Sequence, residues 1–333
     1  MLAEAIPPPH TAPSGVLRIA HISDLHVLDL AGTRWHQFLN KRLAGVVNLV
    51  GPRRGAHPVA LAETLADRLA QPDIDHVILT GDVTNLALDA EFRRARSVIE
   101  RLGPPARVTI VPGNHDLYTR GALHQARFEK WFGDYLVDDA DEGHAPGARG
   151  RLHYPFARSP APHVRIYGLS SAVPTPPFLA LGHVGRAQIE RLLRLRAAEP
   201  SDVRVRIALV HHNLHTDPRP FEFLAAFVDR RAFARAMHAI GASVVLHGHT
   251  HTPHQGYLRG DGAGTGGDIP VLGCGSSTWS RRGGRDRARF NVLEIGPQRI
   301  ERVQSYHFDA DAHVFRPEHA DLLERAHAHV IAL

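Results

Sequence analysis

Five short groups of polar residues carry side chains that bind metal ions and transfer protons. In chain order they are Asp24 and His26; Asp82; Asn114, His115 and Asp116; His211 and His212; and His249 and His251. Carboxylates, imidazoles and an amide, without a thiolate, suit first-row metal ions such as manganese, iron, cobalt or zinc. A structural zinc site normally uses cysteine, and this chain has a single cysteine, Cys274. The groups therefore predict a catalytic rather than a structural metal site.

The number of candidate ligands predicts two ions rather than one. The candidates are Asp24, His26, Asp82, Asn114, His211, His249 and His251. These are too many for one ion, whereas two ions could share a carboxylate. Two metal ions about 3.5–4 Å apart stabilise both the attacking and the leaving oxygen in a displacement at phosphorus. We therefore expect two divalent ions per chain, manganese or iron in preference to zinc or cobalt, acting on a phosphoester.

A short apolar strand is predicted immediately before each polar group. These strands are Val16–Ile22, Val77–Thr80, Arg107–Val111, Arg204–Val210 and Ser243–Leu246. Helical patterns over Pro58–Leu69 and Glu91–Leu102 separate the first three strands, which predicts β-α-β units and a parallel sheet. Ligands in such sheets gather beyond the carboxyl ends of the strands. The five groups are therefore expected to converge on one site.

The rest of the chain is expected to complete one α/β domain. Further strands are predicted at Val164–Leu169, Pro270–Leu272 and Phe290–Ile295, with a helix at Phe233–Ile240. Residues 143–162 are predicted to form an irregular surface excursion. The domain organisation predicted is a leader without structure over 1–15, one domain over 16–300 and a helical extension over 301–333.

Histidine is abundant, with 25 residues, so chance pairs must occur. Asp311 with His313, and His327 with His329, repeat the spacing of the candidate ligands but follow no buried strand. They are expected to lie on the surface. His21 lies within the first predicted strand and is expected to be structural.

Composition favours an anionic substrate. The net charge is +5 and comes almost entirely from arginine, whose planar guanidinium suits phosphate. The basic residues are scattered and not interleaved with aromatic residues, so no nucleic acid is expected to bind. The sequence shows neither a signal peptide nor an apolar run of about 20 residues, and a cytoplasmic protein is predicted. The oligomeric state is left open.

Residues 35–54 form a distinctive segment. Trp35, Phe38, Leu39 and Leu43 lie on one helical face, with basic residues beside it and beyond it. Such a helix can rest on the inner face of a membrane or hold an amphiphilic substrate. It can equally cover part of the core.

The five groups, in this order, resemble the motifs of the calcineurin-like metallophosphoesterase family over roughly residues 16–300. Gly113 to Asp116 and Gly248 to His251 carry the specific matches, while Gly81 with Asp82 is a weak one. The resemblance implies a four-layer α-β-β-α sandwich of two mixed sheets, with the site at the sheet edges.

The resemblance also implies a role for each residue. Asp24, His26 and His251 would hold one ion, Asn114, His211 and His249 the other, and Asp82 would bridge them. A hydroxide bridging the ions would be the nucleophile. His115 would stabilise or protonate the leaving oxygen, and Asp116 would orient His115. His211 directly follows its strand and is preferred to His212 as the ligand; His212 would line the pocket.

Several substrates remain open within this family. The motif groups resemble bacterial cyclic-nucleotide phosphodiesterases, whereas segment 35–54 resembles a branch that cleaves UDP-2,3-diacylglucosamine in lipid A synthesis. The widespread enzymes of that pathway carry Arg at the position of His115, so any kinship would be through a different branch. The main expectation is hydrolysis of a phosphodiester or pyrophosphate bond in a small anionic molecule. A protein or small-molecule phosphomonoesterase and a metal-binding scaffold are the alternatives.

Overall fold

The computed structural model describes residues 15–34, 57–136, 154–176, 179–215, 222–260, 267–280, 287–324 and 329–333. The predicted amphipathic segment 35–54 and nearly all of the predicted leader lie outside these ranges. The following description concerns the described residues alone.

The described ranges contain alternating strands and helices. The strands are β1 (Leu17–Ile22), β2 (His76–Leu79), β3 (Val108–Ile110), β4 (Phe156–Ala161), β5 (Val164–Gly168), β6 (Val205–Leu209), β7 (Val244–His247), β8 (Pro253–Leu258), β9 (Ile269–Cys274), β10 (Arg289–Ile295), β11 (Ile300–Asp309), β12 (Val314–Asp321) and β13 (His329–Val330). The helices are α1 (Val59–Leu69), α2 (Asp89–Leu102), α3 (Arg120–His124), α4 (Arg127–Phe132), α5 (Arg186–Ala197) and α6 (Arg230–Ile240). Short 3₁₀ turns lie at Pro105–Arg107, Gly133–Tyr135 and Glu222–Ala225.

The strands form two mixed sheets. The first has the order β12-β11-β10-β1-β2-β3 and the second the order β13-β8-β9-β7-β6-β5-β4. In the first sheet β2 pairs in parallel with both β1 and β3, and in the second sheet β5, β6, β7 and β9 pair in parallel in that order. Antiparallel strands flank these parallel centres. This architecture confirms the predicted α/β class with two mixed sheets.

Alternate side chains of the second sheet face two different cores. Ile207 and Leu209 pack with the first sheet, while Ala208 and Val210 pack against α5 and α6. Successive strand residues point to opposite faces, so the stretch from Ile207 to Val210, in β6 and just after it, is apolar at every position and buried on both sides. Helices α1 and α2 cover the outer face of the first sheet. The layers are therefore helix, sheet, sheet, helix.

The register aligns the ends of the central strands. Ile22 pairs with Leu79, and Leu79 with Ile110, in the first sheet. Leu209 pairs with Leu246 in the second. Because these parallel strands end level with one another, the polar residues that follow them leave each sheet at the same edge. The fold thus brings together groups that are far apart in sequence.

A buried carboxylate fixes the start of α2 to the loop after β2. Glu91 is fully buried, and its Oε2 accepts hydrogen bonds from the backbone N–H groups of Leu86, at 2.8 Å, and Leu88, at 3.1 Å. A glutamate in the first turn satisfies donors that the helix itself cannot. The loop that contains Asp82 is therefore fixed to α2 at the end where that helix begins.

Two predictions about secondary structure were wrong. Within the stretch predicted to be an irregular excursion, residues 156–161 form strand β4, which pairs with β5. The helical extension predicted over 301–333 contains strands β11, β12 and β13 instead. Its Ala, Leu and Glu residues favour a helix, but pairing of β12 with β11 and of β13 with β8 overrides that weak preference.

Candidate metal centre

The loops after β1, β2, β6 and β7 are joined by backbone hydrogen bonds. Asp24 N–H donates to Gly81 O at 3.0 Å, and His26 N–H donates to Asp82 O at 2.9 Å. In the second sheet, Gly248 N–H donates to His211 O at 3.1 Å. The two sheets are linked where His249 N–H donates to Asp24 Oδ2 at 3.0 Å. The predicted groups therefore form one connected site.

Glycines in the motifs permit this close approach. A Cβ at Gly113 would lie 2.1 Å from Asp82 Oδ1, and one at Gly248 would lie 1.9 Å from Ser23 Oγ. No side chain could be accommodated at either distance without displacing the neighbouring loop. The glycines are thus required because carboxylate and hydroxyl groups of adjacent loops occupy the space of a side chain.

Backbone strain concentrates at the same residues. Five of the eight non-glycine residues with positive φ among those described are candidate ligands: Asp24, His26, Asp82, His249 and His251. Their φ values lie between 46° and 75°, a region that non-glycine residues seldom adopt. Such strain persists where the surrounding structure imposes it, and it clusters at functional sites.

Asp24, His26 and His251 form the first half of the site. The Nε2 atoms of His26 and His251 lie 2.8 Å apart. Asp24 Oδ1 lies 3.4 Å from His251 Nε2 and 3.7 Å from His26 Nε2. This oxygen is buried and has no hydrogen-bond partner among the described residues. A buried carboxylate oxygen facing two imidazole nitrogens fits a divalent ion, which would satisfy all three atoms.

Asn114, His211 and His249 form the second half. The Oδ1 atom of Asn114 lies 3.1 Å from His211 Nε2 and 3.0 Å from His249 Nδ1. His211 Nδ1 donates to the carbonyl oxygen of Thr80 at 2.7 Å. Because a carbonyl only accepts, Nδ1 carries a proton and Nε2 is the ring nitrogen that faces the site. Here too the set of oxygen and nitrogen donors fits a first-row metal ion of intermediate hardness.

Asp82 lies between the two halves. Its Oδ2 is 3.7 Å from His26 Nε2 in the first half and 3.3 Å from His211 Nε2 in the second. Its Oδ1 accepts the backbone N–H of His115 at 2.7 Å. One carboxylate oxygen is therefore held by the backbone while the other faces both sets of ligands, which is the position expected of a bridging carboxylate.

The structure distinguishes the adjacent histidines. His212 Nε2 donates to Ala180 O at 3.0 Å, and its Nδ1 lies 2.8 Å from Ser171 Oγ. Ser171 Oγ accepts the backbone N–H of His212, so its own proton is available for Nδ1. Both ring nitrogens of His212 are thus occupied by protein groups. His211, with Nε2 facing Asn114 and Asp82, is the candidate ligand.

The ionisable groups indicate a site suited to cations. Burial acts to raise the pKa of Asp24, but the imidazoles of His251 and His26 outweigh it and hold that pKa well below its usual value. Burial alone would lower the pKa of His211, yet the charges of Asp82 and Asp24 raise it to about 9. Burial lowers the pKa of His212 to about 3. Asp24 therefore remains ionised and contributes negative charge to the site.

The orienting partner predicted for His115 was wrong. His115 Nδ1 donates to the backbone oxygen of Asn85 at 2.6 Å. Asp116 instead accepts from Gly113 N–H at 2.9 Å and from Thr84 N–H and Oγ1–H, each at 2.9 Å. Burial and the charge of Asp82 raise the pKa of Asp116 to about 6. Asp116 therefore ties the third loop to the second through these hydrogen bonds.

One histidine near the site was missed in the sequence. His57 offers a ligand atom that lies within 4.8 Å of ligand atoms of His26 and His251. It directly precedes Pro58 and α1 and does not follow a strand, so the strand-end pattern could not identify it. Three other histidine expectations agree with the structure: His313 and His329 are exposed, and His21 is buried in β1, where its Nε2 lies 3.0 Å from Thr80 Oγ1. His327 lies outside the described residues.

A two-sheet sandwich with Asp, His and Asn side chains clustered at its edge defines the class of metal-dependent phosphoesterases. The family model for the calcineurin-like phosphoesterases matches residues 17–253. The chain therefore belongs to the calcineurin-like phosphoesterase family. Membership implies phosphoester hydrolysis as its chemistry. No curated protein sequence matches the chain.

Solved structures show the same fold. Purple acid phosphatase PPD1 from seeds of yellow lupin (Lupinus luteus) aligns with a TM-score of 0.53 at 13% identity, covering 91% of this chain and 53% of the lupin protein. This chain thus spans about half the length of that relative. The structure of PhoD aligns with a TM-score of 0.52 at 10% identity, covering 97% of this chain and 75% of PhoD. Identities this low show a shared fold alone.

Within the described ranges, no helix has both the length and the apolar character that crossing a membrane requires.

Proposed function

We propose that the protein hydrolyses a phosphodiester or pyrophosphate bond in a small anionic substrate with the help of two divalent metal ions. The observation that carries this proposal is the position of Asp82 Oδ2, 3.7 Å from His26 Nε2 and 3.3 Å from His211 Nε2. A single carboxylate oxygen that faces two separate ligand sets is what a pair of ions requires.

Each ion would have its own ligand set. Asp24, His26 and His251 would hold the first, Asn114, His211 and His249 the second, and Asp82 would be shared. Manganese or iron fits this mixture of oxygen and nitrogen ligands, with zinc or cobalt as alternatives. Two bound ions supply the charge that activates a water molecule and stabilises the departing oxygen. The protein's contribution is to hold their ligands rigidly on strained loops.

His115 would act on the leaving oxygen. Its ring lies edge-on to His26 at 4.8 Å and stacks on Tyr118 at 5.3 Å. Nδ1 donates to Asn85 O, so a proton exchanged with substrate would pass through Nε2. A positioned imidazole contributes about 10²- to 10⁴-fold to such proton transfers.

A cavity beside the site offers room for the organic part of a substrate. It has a volume of about 510 Å³ and is lined by Pro58, Leu61, Trp279, Arg287 and Phe308 among others. Trp279 connects it to the metal centre, since its ring lies 6.1 Å from that of His251. The organic group of a phosphoester held at the ions can occupy this space.

The experiment is hydrolysis of bis-p-nitrophenyl phosphate and p-nitrophenyl phosphate by metal-stripped protein before and after addition of manganese. We expect activity only with manganese and a higher kcat/KM for the diester. Asp202→Ala, at an exposed turn, serves as the control variant and should behave like the wild type. A preference for the monoester would favour the phosphomonoesterase alternative, and turnover of neither substrate would favour a scaffold.

A further inference from the structure

His57 lies against the first half of the metal centre. Its ring centroid is 4.8 Å from that of His26 and 5.8 Å from that of His251. One ligand atom from each of these three imidazoles lies within 4.8 Å of the others. Such spacing brings three nitrogen ligands within reach of one ion.

The hydrogen bonds of His57 fix its tautomer. His57 Nδ1 lies 2.8 Å from Thr278 Oγ1, and that hydroxyl donates its single proton to Leu25 O at 2.8 Å. Thr278 can therefore only accept from the ring, and Nδ1 must carry the proton. Ser276 Oγ, 3.4 Å from Nδ1, likewise donates to a carbonyl, Asp24 O, at 2.9 Å. The lone pair of His57 is consequently on Nε2.

This arrangement resembles the usual support of a metal-binding imidazole, in which the ring N–H away from the metal donates to a fixed oxygen. Thr278 and Ser276 are buried, and both are bonded to the loop that carries Asp24. Trp279 packs edge-on against the His57 ring at 5.2 Å. The orientation of His57 is thus tied to the first ligand loop itself.

We propose that His57 Nε2 is a further ligand of the ion held by Asp24, His26 and His251. This inference rests on the proposed function, because it assigns a residue to one of the two ions. The first position then has three imidazoles and the second has two imidazoles and an amide. Imidazole-rich sites favour zinc, cobalt and iron, whereas oxygen ligands suit manganese better. The two positions should therefore differ in affinity for cobalt.

The test is titration of metal-stripped protein with Co²⁺, followed by visible absorption, with metal content measured independently. The variants are His57→Ala, His57→Gln and Thr278→Val, which removes the hydroxyl that accepts from the ring. His124→Ala, on the exposed face of α3, is the matched control. Circular dichroism checks that each variant is folded, and Thr278→Val carries the test if the His57 variants are not.

We expect wild type and His124→Ala to bind two Co²⁺ ions. In His57→Ala and His57→Gln one ion should bind at least about 10-fold more weakly, with an altered absorption spectrum, while the other is unchanged. Thr278→Val should weaken the same ion by about 10- to 100-fold. Wild-type affinities and spectra in all three variants would overturn the role of His57 and leave the proposed function standing. A wild type that binds no metal would overturn both.

Discussion

The Nε2 atoms of His26 and His251 lie 2.8 Å apart and both face the buried Oδ1 of Asp24. A single proton can join the two imidazoles only when one ring donates and the other accepts. That arrangement leaves Asp24 Oδ1 without a hydrogen bond, which is costly for a buried carboxylate oxygen. A divalent cation satisfies all three atoms at once, and the geometry is therefore that of a ligand set.

Asp82→Ala should abolish binding of the metal pair. The substitution removes the oxygen that faces both His26 and His211, so neither ion keeps its shared ligand. The measurement is the number of manganese ions per chain after dialysis, with Asp202→Ala as the control. An active variant that retains two ions would show that Asp82 is not the bridge.

His115→Ala should lower kcat by about 10²- to 10⁴-fold while leaving metal content near that of the wild type. His115 lies beside the ligand sets, and its Nδ1 is committed to Asn85 O, so its removal takes away a proton donor and no ligand. The measurement is kcat for the diester substrate together with metal analysis. If the variant loses both ions, the role proposed for His115 is wrong.

The sequence predicted the strand ends and their polar residues because parallel strands present such residues at one edge. Each of the seven predicted metal ligands lies in the cluster, and their roles remain predictions. The sequence could not predict that Asn85 O, rather than Asp116, would hold His115, because a backbone oxygen has no residue-type signature. His57 was missed for a related reason, because the hydrogen bond that holds its ring is to Thr278, 221 positions away in the sequence.

Gly248→Ala should destabilise the protein by about 1–3 kcal/mol. A Cβ there would lie 1.9 Å from Ser23 Oγ and 2.6 Å from Asp24 Oδ2, so the first ligand loop must shift. Gly121→Ala is the matched control, because its Cβ would meet only Thr119 Oγ1 at 3.7 Å. Urea denaturation of both metal-free variants checks this prediction. Equal stability of the two would show that the loops are not packed as described.

Acidification should destabilise the fold through His76. Burial, helped by the charges of Arg158 and Arg107, lowers the pKa of His76 from 6.5 to about 3. The unfolded chain therefore binds more protons between these pH values, and stability is lost as pH falls from about 6.5 towards 3. One pKa unit corresponds to about 1.4 kcal/mol, which is the most that this residue can contribute per pH unit.

The variant His76→Gln isolates the contribution of His76 to the pH dependence of stability. His76→Gln retains an amide that can bond to Thr109, the present partner of His76 at 2.8 Å, but it does not titrate. Urea denaturation of the metal-free variant between pH 6 and pH 4 should give a shallower pH dependence than the wild type. The exposed His124→Ala should leave the slope unchanged. Identical slopes for His76→Gln and the wild type would refute the prediction.

The strands after residue 300 could not be predicted from the sequence, because local residue preferences and strand pairing disagree there. Helix-favouring residues dominate the last part of the chain, and only pairing with β11 and β8, which comes from the tertiary fold, makes β12 and β13 strands. Residues 35–54 lie outside the described residues, so both expectations for them, a helix that contacts a membrane or an amphiphilic substrate and a helix that covers the core, stay predictions, as does the cytoplasmic location.

The most direct measurement is anomalous diffraction from crystals of the protein grown with manganese. The proposed binuclear centre predicts two peaks on either side of Asp82 Oδ2, about 3.5–4 Å apart. One peak should lie beside Asp24, His26 and His251, and the other beside Asn114, His211 and His249. A single peak, or manganese bound only elsewhere, would contradict the account.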